Sequence, residues 1–392
     1  MRKQLFLLFI LFTALTAAGQ PKTLSPEAEI SVLTIGPGYT LNDAFGHSAF
    51  RIKDHIRGID LVFNYGVYDF NAPNFYLKFA QGKLNYLIGL DYYEDFYESY
   101  VSQNRTIRAQ VLNLSPTEKQ QLFDYLLNNY RPENRAYLYD FFYDNCATKI
   151  RDVVEDISDH PIAFYVPEDF EAKTFRTLIH EHLKLNSWGA LGIDVALGSV
   201  IDREASPYEH MFLPKNIYRF FAAADMQSNP DQALVIASSV LFEKLEQPKS
   251  NGFISSPLSI FGLIACIILF ITYRDFQHKQ RSPWLDVVLF SVTGIVGVFI
   301  LLLWFATDHT GTHQNYNLLW AFALNLFMIP QLLKTQPKSW FVKYLKFLII
   351  LLALMTLHWI IGIQVFAIGL IPLFIALACR YLFLVYHYNR LK

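Results

Sequence analysis

The most reactive side chain in this sequence is Cys146, at the centre of YDFFYDNCATKIRD (residues 139–152). Asp144 and Asn145 directly before it are favoured helix caps, and ATKIRDVVEDI after it sets Ile150, Val153, Val154 and Ile157 on one helical face. The pattern predicts Cys146 at a helix N-terminus, where unpaired backbone N–H groups and the helix dipole favour thiolate over thiol. A thiolate is a nucleophile for acyl transfer, but it needs a base to take its proton. The candidate base is His47 in FGHSAFRI, entering a strand after the glycine-rich GPGYTLNDAFG. An amide or carboxylate must then hold the imidazole; the next strand, LVFNYG, offers Asn64, with Asp60 as the alternative. Each residue alone also has an ordinary reading: a buried structural cysteine, a packing histidine, a strand-end asparagine. A histidine entering a strand and a cysteine opening a helix form a more specific pair.

The elements that must position these groups can be read from patterning. EISVLTIGPG, HSAFRI and DLVFNYGVYDF are short, β-branched or aromatic runs divided by turn residues, which predicts strands. SPTEKQQLFDYLLNNY has Ser115 as a cap, Glu118 three positions on and Leu122, Tyr125 and Leu126 on one face, which predicts a helix.

The solitude of Cys146 depends on where it resides. Residues 1–19 read as a cleaved signal peptide: Arg2 and Lys3, then LFLLFILFTAL, then small residues, with an uncleaved anchor as the other reading. No cysteine follows that apolar run, so the chain is not expected to be itself a lipoprotein. Residues 20–250 read as an exported globular domain. From residue 251 the chain turns apolar, and five spans are expected at about 253–273, 285–306, 316–333, 346–362 and 365–386. Cys266 and Cys379 fall in spans, which leaves Cys146 as the single exported thiol in an oxidising compartment.

Lysine and arginine placement orients the spans, because cytoplasmic loops retain positive charge. Arg274, Lys279 and Arg281, then Lys334, Lys338, Lys343 and Lys346, then Arg390 and Lys392 face inward; residues 307–315 carry neither and face outward with the large domain. A hydrophobic content of 53% with 16% aromatics fits a chain partly in lipid, and 33 basic against 34 acidic residues, with no basic run, exclude a nucleic-acid partner.

Other polar residues are candidates for substrate contact: Tyr65 and Asn145 beside the proposed pair, Asp308, His309 and Asn315 in or next to the outer loop, and His358 at the outer end of the fourth span. His180 and His182 in LIHEHL lie two apart on a helix and point in different directions, so no metal site is expected. Asp202 and Arg203 are expected to form a structural ion pair.

FGHSAFRI, FNYGVYDF, FAQGKLNYLIG and YDNCATKIRD together resemble the Lnb N-terminal periplasmic domain proteins of Bacteroidota. The resemblance extends over most of residues 25–330, including LGSVIDR (197–203), MFLP (211–214) and DHTGTHQNYNLLW (308–320). The order histidine, polar residue, cysteine is also similar to the circularly permuted papain-like folds of the lecithin:retinol acyltransferase group, whose second-strand position is often histidine where Asn64 stands here. The implied fold is α+β: a permuted papain-like periplasmic domain followed by an α-helical transmembrane bundle. The implied activity is lipoprotein N-acylation at the inner membrane, with a phospholipid as acyl donor, a diacylglyceryl-cysteine lipoprotein as acceptor, a Cys146 thioester between them and no cofactor. Two other readings compete: a papain-like peptidase or amidase acting on peptidoglycan, and a non-catalytic membrane scaffold.

Overall fold

The structure, a computed structural model, describes residues 23–226, 232–246 and 252–390. The expected signal peptide and the expected domain boundary at residues 250–251 lie outside the described residues.

The strands are β1 (Glu29–Ile35), β2 (His47–Asp54), β3 (Ile59–Val67), β4 (Asn85–Tyr92), β5 (Ile107–Leu112), β6 (Ala136–Leu138), β7 (Ile162–Phe164), β8 (Ala224–Met226) and β9 (Val235–Phe242). Seven form one antiparallel sheet in the order β6-β4-β3-β2-β1-β5-β9, and β7 pairs with β8. The helices of this domain are α1 (Phe75–Ala80), α2 (Tyr93–Ser102), α3 (Pro116–Asn129), α4 (Cys146–Ile157), α5 (Phe175–His180), α6 (Trp188–Ala196), α7 (Pro207–His210) and α8 (Pro214–Ala222). The caps read from sequence start two of them. Ser115 and Glu118 close a capping box on α3, and the Asn145 carboxamide accepts the Ala147 and Thr148 N–H groups at the head of α4.

Alternate strand residues point to opposite faces. Val32, Phe50, Ile52 and Phe63 meet Leu122, Ile150, Val153 and Phe220, from α3, α4 and α8, on one face. Leu33, Ala49 and Val62 meet Phe96 of α2 on the other. Each such fully buried side chain contributes roughly 1.5–3 kcal/mol, so the strands bearing His47 and Asn64 are clamped from both sides.

After residue 252 come α9 (Pro257–Gln277), α10 (Pro283–Phe305), α11 (Asn325–Leu332), α12 (Ser339–Ile360) and α13 (Ile371–Arg390). Among the described residues four helices are long and apolar enough to cross a membrane: Pro257–Gln277, Pro283–Phe305, Ser339–Ile360 and Ile368–Arg390. The expected span at residues 316–333 is not one helix. Tyr316–Leu319 is a single 3₁₀ turn, and α11 is an eight-residue helix containing Pro330. Its backbone lies against Gly297 of α10, where a Cβ would stand 2.1 Å from the Ala321 carbonyl oxygen, so only glycine admits this contact. The unpaired backbone of such a segment is tolerated because Trp320, Ala321 and Asn325 are buried in protein. Its two ends sit at opposite ends of the bundle: the Leu332 carbonyl accepts from Arg281 beyond α9, while Asn315 donates to the Val195 and Ala196 carbonyls of the sheet domain.

Candidate functional site

β2 begins at His47 because Gly46 ends the preceding loop with φ +83, in a place where a Cβ would meet the Ile35 carbonyl oxygen at 2.6 Å. His47, Ala49 and Arg51 share one face of β2, and Asp60, Val62 and Asn64 share the same face of β3. The register pairs Ala49 with Asn64 and Lys53 with Asp60. Asn64 is therefore a diagonal neighbour of His47, whereas Asp60 sits about 13 Å further along the strand. The Asn64 side chain hydrogen-bonds His47, and its Nδ2 donates to Asp91 Oδ2 of β4 at 2.9 Å. Asp60 is taken out of the site: both its oxygens accept from Arg51 at 2.7 Å.

Cys146 arrives from the other side of the sheet, at the head of α4, and lines the same cavity as His47 where the strands end. The N–H of Ser48, next to His47, reaches the sulfur, as do those of Cys146 and Ala147. Even so, burial dominates and pushes the thiol up to about 11. Burial, and then the nearby Arg105 charge, push His47 down to about 4 against the raising influence of Asn64 and Asp43. The thiolate expected from the helix end is thus overturned by desolvation, and the resting pair is neutral thiol and neutral imidazole. His47 Nε2 is shielded from solvent and has no hydrogen-bond partner among the described residues. It makes no hydrogen bond to the sulfur, but both residues line one cavity.

Patterning gave no signal for three residues behind this pair. Arg105, 3% exposed, donates from Nε to the Gly36 carbonyl at 2.9 Å, approaches Asp43 at 3.5 Å and leaves Nη2 without a partner among the described residues. Its guanidinium lies 4.8 Å from the Tyr100 ring, which stacks at 6.3 Å on the His47 ring. Asp91 completes the line behind Asn64. All three come from elements far along the chain, and only the sheet order brings them together.

The pair opens into a cavity of about 580 Å³, within the roughly 300–1,000 Å³ of small-molecule sites. Tyr65, Phe70, Phe75, Tyr86, Tyr139 and Phe141 give it an aromatic wall. Asp308, His309, Thr310 and Gly311, from the loop after α10, close another side. That loop is fastened to the sheet domain: Thr310 donates to Asp140 Oδ2 at 2.7 Å, and the Asp308 N–H donates to the Gln81 carbonyl at 2.8 Å. Both halves of the chain therefore build one cavity.

The remaining candidates separate. Tyr65, Asn145, Asp308 and His309 line the cavity, but the Asn145 carboxamide is consumed by α4 and by the Phe141 and Phe212 carbonyls, so it is a cap and not a free ligand. Asn315 is buried away from the cavity, holding α6 to the membrane bundle, and His358 packs edge-on at 4.6 Å against Tyr316. His180 bonds Asp194 while His182 bonds the Ala44 carbonyl, on separate sides. The expected Asp202–Arg203 pair does not form. Asp202 accepts from buried Arg176 and from the Val365 N–H, and Arg203 pairs with Glu209, because neighbours at the end of a 3₁₀ turn point apart.

The chain matches the Lnb N-terminal periplasmic domain over residues 20–181 and the Lnb transmembrane domain over residues 248–391. None of the curated proteins and none of the solved structures matches it. The chain belongs to the Lnb family and is a multi-pass membrane protein carrying a periplasmic domain.

Proposed function

We propose that this Lnb-family chain is a lipoprotein N-acyltransferase of the inner membrane, working through a thioester on Cys146. The observation that carries the reading is the cavity: one thiol and one unpartnered imidazole nitrogen open into an aromatic chamber closed by a loop between membrane segments. In this reading the bundle crosses five times, the broken segment 316–333 being the third crossing, and the Cys-bearing helix against the His-bearing sheet is a permuted papain-like arrangement. Five crossings serve a lipid donor and an anchored acceptor; a soluble cell-wall peptide requires neither them nor an apolar chamber.

The chemistry follows from the neutral pair. As Sγ attacks the ester carbonyl of the phospholipid, the thiol proton moves to His47 Nε2, which Asn64 and Asp91 orient. The C–S bond forms, the C–O bond breaks, and His47 returns the proton to the departing lysophospholipid hydroxyl. The N–H groups of Ser48, Cys146 and Ala147, which reach the sulfur, are the donors this mechanism assigns to the developing charge. The lipoprotein α-amine then attacks the thioester, gives its proton to His47, and leaves as the amide while the thiol is regenerated. Holding both steps at one sulfur separates a hard transfer into two easier ones.

The test is mass spectrometry of lipoprotein N-termini in cells whose only copy carries Cys146→Ala. N-acylation is expected to vanish, a loss of more than about a thousandfold. Lipoproteins that stay fully N-acylated while the variant is present in the membrane would overturn the proposal.

A further inference from the structure

The cavity has a mouth, and its rim is unusual for a surface facing water. Phe70, Tyr76 and Phe79 line the cavity and yet are 65%, 80% and 53% exposed. Tyr76 and Phe79 belong to α1, a six-residue helix that turns Phe75 into the protein and Tyr76, Leu77 and Phe79 away from it. An outward face of this kind needs a cover.

Its position relative to the membrane segments identifies the cover. The Phe79 carbonyl accepts from His309, and the Gln81 carbonyl accepts the Asp308 N–H, three residues past the end of α10. α10 has 23 residues and so is about 34 Å long, a little more than the roughly 30 Å hydrocarbon core. Its last turn then falls at the outer boundary of that core, with Leu302 and Phe305 exposed on its surface. α1, fastened just beyond that turn, continues the same apolar surface. Lys78, in its last turn, and Lys83, beside Asp308, stand at the level of anionic headgroups.

We infer that α1 is immersed in the outer leaflet and that the Cys146 cavity opens sideways into the bilayer between Phe70, Tyr76 and Phe79. An acyl chain then slides from the leaflet to the thiol without crossing water. The inference rests on the acyltransferase reading for what passes through the opening, but not for where α1 sits.

Two measurements on the full chain, reconstituted in vesicles of phosphatidylethanolamine and phosphatidylglycerol, separate these claims. In the first, Leu77→Cys is combined with Cys146→Ala, Cys266→Ala and Cys379→Ala and labelled with an environment-sensitive fluorophore. Quenching by spin-labelled lipid and protection from aqueous iodide are expected; full access to iodide would overturn the inference. In the second, Leu77→Asp is tested in the otherwise native chain, because Leu77 does not line the cavity. Acylation of Cys146 by bilayer phospholipid is expected to fall about tenfold, the cost of removing one apolar side chain from lipid, while acylation by a water-soluble short-chain nitrophenyl ester stays unchanged and reports intact folding. Equal loss with both donors, or no loss with either, would overturn the lateral opening. A lipid-buried probe in a chain that never accepts acyl groups from phospholipid would sink the acyltransferase reading and leave the position of α1 standing.

Discussion

Arg105 and Arg176 are both buried in the sheet domain, and they do opposite things. Arg176 spends its donors completely: Asp194 at 2.8 Å, Asp202 at 2.8 Å, and the Leu197 and Gly198 carbonyls. Asp202 passes the linkage on to the Val365 N–H of the membrane half. Arg105 donates to Gly36 and Gln103, stands 3.5 Å from Asp43, leaves Nη2 without a partner among the described residues, and lies over the Tyr100 ring beside the candidate base. A satisfied buried charge fixes geometry, whereas an unsatisfied one projects its field on neighbours. The difference separates the seam that joins the two halves from the floor of the cavity.

The comparison breaks most visibly at the seam. Arg176→Met strands the Asp194 and Asp202 carboxylates in the interior and is expected to cost about 3–5 kcal/mol, measured as loss of thermal stability in detergent. Asn64→Ala acts on the floor: single-turnover thioester formation is expected to fall on the order of a hundredfold with the melting temperature held, as suits loss of a group that orients the base. Arg105→Met should sharpen the contrast, lowering the same rate about tenfold while costing less stability than Arg176→Met, since no carboxylate is left fully buried. If Arg105→Met instead unfolds the protein as readily as Arg176→Met, the two arginines are alike and the contrast is wrong.

The smallest expected effect lies in pH. With His47 held at about 4 its neutral, proton-accepting form is present above that pH and lost as pH falls through it; with Cys146 at about 11 the thiol stays protonated through neutrality. Thioester formation is expected to vary less than about twofold between pH 6 and 8 and to fall only toward pH 4. A limb near pH 6.5 in the rate profile would show that the imidazole is less buried than this geometry makes it. The linkage to stability has the same sign: between about 4 and 6.5 the unfolded chain binds the proton that folded His47 refuses, so acid weakens the fold in that window.

Local chemistry made much of this legible. Turn residues around EISVLTI and FGHSAFRI marked the strands, and Ser115 and Asn145 marked two helix starts within one residue. What failed was long-range or was decided by competing terms. The helix end argued for a thiolate, but sequence carries no measure of the desolvation that opposed it. Apolar composition argued for an unbroken third span, but Pro330 and the closeness of Gly297 fixed a broken one. Adjacency suggested Asp202 with Arg203, while the true partner, Arg176, stands 26 residues away. Sequence put Asn64 first with Asp60 as the alternative, and strand register is what separates them in space.

The fastening of Thr310 to Asp140 has a consequence in time. A ribosome releases Cys146 well before it has made residues 308–311, with α9 and α10 between them. The cavity around Cys146 therefore gains its last wall only once α9 and α10 have been made. Enclosure is thus tied to the membrane half: a chain that stops short of residue 308 carries Cys146 and His47 but lacks the wall that residues 308–311 supply.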